Sequence, residues 1–156
     1  MITINELKVH ANEFLEEHYN MSLDIPIKLN GRLTRSLGRF IYSRQGKSIE
    51  LAKRLLMYYN KEEILDVLYH ELVHYALYEL GMPFNDGHPV FEKELKKHSV
   101  SSTNVLHFKG IAHVYECKEC SKTFTTRRRL GRRYMYTCSC GNAVREKDYK
   151  EETIIQ

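Results

Sequence analysis

The segment His70-Glu71-Leu72-Val73-His74 constrains this chain most, because its two histidines lie side by side only if the segment is a helix. Asn60 and Glu63 have the spacing of a helix capping box, and Gly81 with Pro83 supplies a stop signal. Between these signals, apolar residues recur at helical intervals: Ile64, Leu65, Leu68, Leu72, Ala76 and Leu80. The pattern predicts a packed helix that carries the five-residue segment.

On such a helix, two imidazoles four residues apart leave the same face, about 6 Å apart along the axis. His70 and His74 could therefore converge on one Zn²⁺. Glu71 is displaced around the helix by about 100° and is not in line to be a ligand. It is instead positioned to take a proton from a metal-bound water. The spacing predicts a hydrolytic zinc site in which Glu71 is the catalytic base.

The third ligand has three candidates. Leu77 and Leu80 occupy the positions where a metzincin has Gly and His, so that class is excluded. An acid on the following helix, Glu92 or Glu94, would suit a gluzincin. We favour His88, because three histidines with one open position form a well-attested catalytic arrangement.

The other segments in the N-terminal two thirds of the chain predict an α+β arrangement. Residues 4–19 have the capping box and apolar spacing of a helix, and residues 89–97 can form another, with Pro89 at its first position. Residues 25–29 predict an extended piece, and residues 37–42 and 48–51 predict two strands of a hairpin. We expect helices packed on a small sheet, with residues 37–43 as the edge that faces the substrate.

The four cysteines lie late in the chain and in two pairs. Cys117 and Cys120 have the spacing of a zinc knuckle, whereas Cys138 and Cys140 are separated by one residue, which makes a tighter turn that Gly141 can relieve. Clustered short spacings favour metal ligation over disulfides. We predict a structural zinc held by four thiolates.

Residues 117–150 hold ten Lys or Arg against three acids, a net charge of +7. Five arginines lie between the cysteine pairs with tyrosines nearby, which suits phosphate contacts and base stacking. A solvated charged surface is the alternative interpretation. The predicted nucleic-acid-binding residues are Arg127, Arg128, Arg129, Arg132 and Arg133.

The segment from Leu68 to Ala76, then Gly81, then Gly87-His88-Pro89-Val90-Phe91, resembles the SprT-like family, which includes bacterial SprT proteins and, more distantly, the Spartan proteases that digest proteins crosslinked to DNA. The resemblance extends to the strand at Gly38 and to the cysteine module. It implies a zincin-like metallopeptidase domain with His70, His74 and His88 as ligands and Glu71 as the acid/base. It also implies a C-terminal zinc ribbon.

We therefore expect a metallopeptidase domain at residues 1–105 and a basic zinc ribbon at residues 112–150. The predicted activity is zinc-dependent hydrolysis of peptide bonds in protein substrates, including DNA-associated proteins, with one catalytic and one structural Zn²⁺. DNA, single-stranded or damaged, is the predicted second partner. No segment has the apolar length of a membrane span, and no export signal is evident, so we expect a cytoplasmic protein without a membrane partner.

Two questions stay open at this point. Tyr42, Tyr69 and Arg39 are all candidates for stabilising the oxyanion of the transition state. The alternative function is a non-catalytic nucleic-acid-binding accessory protein whose helix metal site is closed by a fourth ligand. Candidates for that ligand are His98, His107, His113, Glu92 and Glu94.

Overall fold

The computed structural model describes residues 1–102, 106, 108–110, 112–127, 129–131 and 136–147. The chain divides into two compact units, unit 1 at residues 1–106 and unit 2 at residues 107–156. The described residues form a mixed α+β structure of helices and small sheets, as predicted. None of the helices in this described part has the length and apolar character needed to cross a bilayer.

Unit 1 contains helices and a three-stranded sheet. Its elements in chain order are α1 (Ile4–Tyr19), β1 (Ile27–Asn30), β2 (Gly38–Ser43), β3 (Gly46–Ala52), α2 (Lys53–Tyr58), α3 (Lys61–Glu79) and α4 (Pro89–Lys97). The predicted helices at 4–19 and 89–97 and the predicted hairpin are confirmed. The short helix α2 was not predicted, because six residues are too few to show a helical period.

The sheet has the order β1-β3-β2. β1 runs parallel to β3, and β2 pairs antiparallel with β3, so that Phe40 lies opposite Ile49. Among the described strands β2 has one neighbour, which leaves its other edge unpaired. The sheet therefore offers an open edge along β2.

Helix α3 runs through the core of unit 1. Asn60 and Glu63 form the predicted capping box at its start, which satisfies backbone donors that a helix leaves free. Ten of its nineteen residues are buried, including His70, Glu71 and His74. The core fixes this helix on several sides, so its polar groups are held in place by packing.

Arg54 of α2 fixes the loop that leads into β2. Its guanidinium donates to the carbonyl oxygens of Leu33, Thr34 and Ser36, at 2.7, 2.9 and 3.3 Å. Because three carbonyl oxygens of the loop bind one planar guanidinium group, the loop has a defined path. The residues just before β2 are thus positioned by a side chain far from them in sequence.

Unit 2 contains another three-stranded sheet, whose strand pairs are antiparallel. Its strands are β4 (His113–Cys117), β5 (Thr123–Thr126) and β6 (Val144–Glu146), in the order β5-β4-β6. The sequence around the cysteines predicts short strands at residues 112–116, 123–126 and 134–137. β4 and β5 lie at the first two of these, and β6 was not predicted. The predicted strand at 134–137 lies mostly outside the described residues, and its last member, Thr137, forms an isolated bridge with Ala143.

Candidate metal centre and cleft

His70 and His74 lie one turn apart on α3, with ring centroids 5.0 Å from each other. Both residues are 8% exposed, and polar side chains this deeply buried are expected to have partners. The predicted convergence of the two rings is present.

The Nδ1 atom of each ring faces a backbone carbonyl. His70 Nδ1 lies 2.9 Å from the Ser101 oxygen, and His74 Nδ1 is hydrogen-bonded to the Phe84 oxygen. A carbonyl can only accept, so each Nδ1 carries the proton and donates it. Each Nε2 is then left with a lone pair, as a metal-ligating histidine requires.

The two Nε2 atoms face one carboxylate oxygen. Asp86 Oδ1 lies 3.1 Å from His70 Nε2 and 3.3 Å from His74 Nε2. A tetrahedral zinc with ligand distances of about 2.0–2.1 Å would separate its ligands by about 3.3 Å. The three atoms therefore have the spacing of ligands around one ion.

The charges of these groups also favour a cation between them. Two neutral rings that already donate through Nδ1 present only acceptors to the Asp86 carboxylate. Burial lowers the pKa of His74, and the neighbouring His70 lowers it further, so a proton on His74 is disfavoured even though Asp86 and the Phe84 carbonyl favour it. A divalent cation satisfies all three acceptors, and the group fits zinc by its ligand types.

Glu71 is 6% exposed and lies against the edge strand β2. Burial raises the pKa of its carboxyl to about 8, with a further increase from Asp86, while a hydrogen bond from the Phe40 backbone acts in the opposite direction. A Cβ at Gly38 would lie 3.1 Å from Glu71 Cγ and 3.0 Å from a Val67 methyl carbon. Gly38 is therefore the residue that lets the strand approach the glutamate this closely.

The predicted third ligands occupy other positions. His88 is exposed at the N-cap of α4, where its Nδ1 accepts from the Val90 N–H at 3.2 Å. Glu92 accepts from Gly87 N–H and from the Ser102 hydroxyl. Glu94 accepts from the Tyr19 hydroxyl. In the described part of the chain, the group of mutually close ligand atoms contains Asp86 rather than these three residues, and His88 as third ligand stays a prediction.

Sequence reasoning missed Asp86 and two supporting residues. Phe91, fully buried, stacks on the His74 ring at 4.1 Å with planes 15° apart. Asp66, one turn before His70, accepts from the Ser101 N–H at 3.0 Å and so holds the segment whose carbonyl receives the His70 proton. The available signal for Asp86 is its place in the loop at residues 84–87, between the motif helix and His88.

A cleft of about 310 Å³ opens over this group. Of the candidates for oxyanion stabilisation, Arg39 and Tyr42 line it, whereas Tyr69 is not among its lining residues and stacks on Phe14 of α1. The Arg39 guanidinium also pairs with Glu50 across the strands at 2.7 Å. The lining residues are Ser36, Gly38, Arg39, Phe40, Tyr42, His70, Glu71, His74, Phe84, Asn85 and Asp86.

In unit 2 the four cysteines form a single group of ligand atoms. The sulfurs of Cys117 and Cys140 are 3.5 Å apart, and those of Cys120 and Cys138 are 3.7 Å apart. A tetrahedral zinc with Zn–S distances of about 2.3 Å would separate sulfurs by about 3.8 Å. Gly141, at φ +88°, takes the left-handed conformation that the tight second pair needs. A hydrogen bond from the Asn142 backbone N–H is the main cause that lowers the pKa of Cys140 to about 6.

Two of the five predicted nucleic-acid-binding arginines lie in the described part of unit 2. Arg127 lies over the Phe108 ring, 4.3 Å from its centroid, and Arg129 donates to Glu146 at 3.0 Å through two nitrogens. Arg128, Arg132 and Arg133 lie outside the described residues, as does His107. Arg129 remains 74% exposed, so its pairing leaves part of the guanidinium open to solvent.

Comparison with known proteins identifies the family of this chain. The chain is 28% identical over 138 residues to a protein from Bacillus cereus strain G9842 described as "Protein SprT-like", and the match covers 85% of this chain and 88% of the relative. A protein of the same description from Bacillus anthracis is 28% identical over 138 residues, again with 85% and 88% covered. The sequence profile of the SprT-like family matches residues 4–106, which include the whole histidine motif and the cleft. The chain belongs to the SprT-like family.

Proposed function

We propose that this protein is a zinc-dependent metallopeptidase that hydrolyses peptide bonds in the cleft of unit 1. The carrying observation is the buried carboxylate of Glu71, which lines the same cleft as the metal-ligating group formed by His70, His74 and Asp86. A purely structural site has no need of a buried acid beside it, because burying a carboxyl group costs free energy unless it is used or paired.

When bound, zinc would lower the pKa of a water molecule and polarise the scissile carbonyl. With zinc in place, Glu71 would accept a proton from the attacking water and pass a proton to the leaving amine. Burial, the main cause that raises the pKa of this carboxyl to about 8, suits a group that holds a proton between those two roles. Of the three candidates for stabilising the oxyanion, Arg39 and Tyr42 line the cleft and can approach the developing negative charge.

The number of candidate ligands favours catalysis over the accessory-protein alternative. In the described residues the group has three members, and the candidates for a fourth that the structure describes have partners elsewhere, whereas His107 lies outside the described residues. His98 packs against His18, Glu94 accepts from Tyr19, and His113 of unit 2 pairs with Glu146. Three protein ligands and one free position are typical of catalytic zinc sites.

The same proposal covers the architecture and the second metal. A motif helix packed beneath a small sheet with an open edge at β2 suits a zincin-like fold. Four thiolates would fill all four coordination positions of a zinc ion, which suits a zinc ribbon whose metal is structural. We place the protein in the cytoplasm, where thiolates stay reduced and available for zinc.

DNA-associated proteins are the proposed substrates, with DNA bound through the basic residues of unit 2. The net charge of +7 over residues 117–150 is the main support. Arg127 and Arg129 are exposed on this unit and supply positive charge for phosphate contacts.

The test is cleavage of a basic DNA-binding protein, with and without single-stranded DNA, by the wild type and by Glu71→Gln. We expect the glutamine variant to lose cleavage by about a thousandfold or more while it keeps its zinc. Glu62→Gln is the matched control, because it makes the same change at an exposed position of the same helix. Equal cleavage by wild type and Glu71→Gln would contradict the proposal, and absence of cleavage by every form would favour the accessory protein.

A further inference from the structure

Four aromatic rings form a cluster beside the metal-ligating group. These rings, here called the aromatic shelf, come from β2, from the last turn of α3 and from the loop that follows it: Phe40, Tyr42, Tyr78 and Phe84. Every one of the six ring pairs has its centroids 5.2–6.4 Å apart. Such distances are typical of packed aromatic rings, so the shelf is one continuous apolar surface.

The shelf is part of the cleft. Phe40, Tyr42 and Phe84 line the cleft together with Glu71 and the two histidines. The backbone oxygen of Phe84 also accepts the hydrogen bond from His74, which ties the shelf directly to a metal-ligating residue. A molecule bound at the metal therefore lies next to these rings.

The shelf is not a sealed core. Tyr42 is 50% exposed, and the other three rings are only partly buried. A second aromatic cluster in the same unit has a covered centre, where Phe14 is 6% exposed and the side chain of His98 is 5% exposed, although its outer rings are partly buried. The shelf has no such covered centre, and Tyr42 keeps apolar surface open on the cleft side.

The edge strand sets the distance between the shelf and the glutamate. Gly38, Phe40 and Tyr42 alternate along β2 and share one face, and Gly38 on that face lies against Glu71. A strand advances about 3.3 Å per residue, so Phe40 and Tyr42, which are two and four residues after Gly38, lie about 7 and 13 Å further along the strand. An extended peptide along the same edge would place a side chain on the shelf within about two residues of the bond next to Glu71.

An ion pair bounds the far end of the shelf. Lys47, which lies opposite Tyr42 in the hairpin, pairs with Glu79 of α3, and its Nζ lies 5.4 Å from the centroid of the Tyr78 ring. The shelf thus has the metal group at one end and a paired lysine at the other.

We infer that the aromatic shelf is a specificity subsite that takes one aromatic or large aliphatic side chain of an extended substrate, within two residues of the scissile bond. The inference rests on the proposed peptidase function and names the residues that select the cleavage site. The physical basis is the removal of apolar surface from water on both sides, together with ring stacking for aromatic residues.

The test uses unstructured peptides that are identical except for one position, which carries Trp, Phe, Leu, Ala or Asp. We expect kcat/KM to be about tenfold or more higher for Trp, Phe and Leu than for Ala and Asp within two residues of the cut. Tyr42→Ala should remove most of this preference, measured as the ratio of kcat/KM for the Trp peptide to kcat/KM for the Ala peptide. A role of Tyr42 at the oxyanion would lower both values alike and leave that ratio unchanged, and the residue is half-exposed, so its loss should leave the fold intact. Met57→Ala, at 56% exposed in the same unit, is the matched control and should keep the preference.

A binding measurement separates this inference from the peptidase proposal. The protein contains no Trp, so the fluorescence of a Trp peptide reports binding to the Glu71→Gln variant without interference. We expect Tyr42→Ala in that background to weaken binding of the Trp peptide about tenfold and to leave the Ala peptide unchanged. Cleavage without preference, or with a preference that Tyr42→Ala keeps, would overturn the subsite and leave the peptidase standing. Selective Trp-peptide binding without any cleavage would support the subsite and contradict the peptidase, and neither binding nor cleavage would contradict both.

Discussion

The two units hold their candidate metal ligands in opposite ways. In unit 1, His70 and His74 lie on a helix that is fixed by an extensive hydrophobic core from α1 to α4. In unit 2, the buried hydrophobic residues of the described part are Ala112, Tyr115 and Cys117, and one of these three is itself a predicted ligand. The fold therefore positions the candidate ligands in unit 1, whereas in unit 2 we expect bound metal to stabilise the fold.

The largest expected effect follows from this difference. Cys117→Ser, or removal of zinc by a chelator, should unfold unit 2, because a small metal-dependent fold gains about 10–16 kcal/mol from its zinc. Unit 1 should keep its helices. Hydrogen exchange measured by mass spectrometry should show lost protection in residues 112–127 and retained protection in residues 61–79.

Ser139→Ala is the control for that experiment, since the residue is exposed between Cys138 and Cys140. It should leave protection in both units unchanged. Loss of protection in residues 61–79 on zinc removal would show that unit 1 also depends on metal for folding, which would remove the contrast between the units.

The next effect compares the same substitution in the two units. Phe91→Ala should lower the free energy of unfolding of unit 1 by about 3–5 kcal/mol, because the ring is fully buried and supports His74. Phe124→Ala in unit 2 should cost about 1.5 kcal/mol or less, because that ring is 39% exposed and stacks on Tyr115. Denaturant unfolding of both variants provides the measurement, and equal losses would contradict the account.

A smaller effect on stability, with a larger effect on activity, is expected at Gly38. A Cβ there would meet Val67 and Glu71 at 3.0 and 3.1 Å, so Gly38→Ala should cost about 1–3 kcal/mol of stability and displace the glutamate. Gly31→Ala is the control, because its nearest neighbour is the flexible Lys53 side chain at 3.3 Å. Gly38→Ala should lower the rate of peptide cleavage strongly, even under conditions where its unfolding midpoint shows that the variant is folded. Unchanged cleavage would show that the position of Glu71 does not depend on this contact.

The smallest effect is a response of unit 1 to acid. Burial lowers the pKa of His98, and His18 lowers it further, while Glu94 raises it; Tyr19 of α1 and Lys97 of α4 also face this group. Because the folded pKa is below the unfolded value of about 6.5, the unfolded chain binds a proton that the folded chain resists, and stability falls as the pH drops below about 6.5. His98→Phe should reduce this fall between pH 7.5 and 5.5, as measured by denaturant midpoints. An identical fall in the variant would show that other groups cause it.

The sequence predicted what short spacings encode. The capping box at Asn60, the helical period of α3 and the hairpin around Gly46 are local patterns, and each is confirmed in the structure. The contact of Gly38 with Glu71 joins residues far apart in the chain, and neither helical nor strand periodicity in the sequence predicts such a contact. Asp86 lies in a loop whose path is set by tertiary contacts, so its approach to the histidines could not be read from spacing.

The number of zinc ions per chain tests the central claim most directly, because the account requires two independent sites of different kinds. After passage into zinc-free buffer, wild type should hold two zinc ions per chain, and His74→Ala and Cys117→Ser should each hold one. His74→Ala should lose cleavage and keep unit 2 folded, whereas Cys117→Ser should unfold unit 2 and keep the zinc of unit 1. A wild-type chain with one zinc that His74→Ala retains would contradict the proposed metal site on α3, and with it the proposed peptidase.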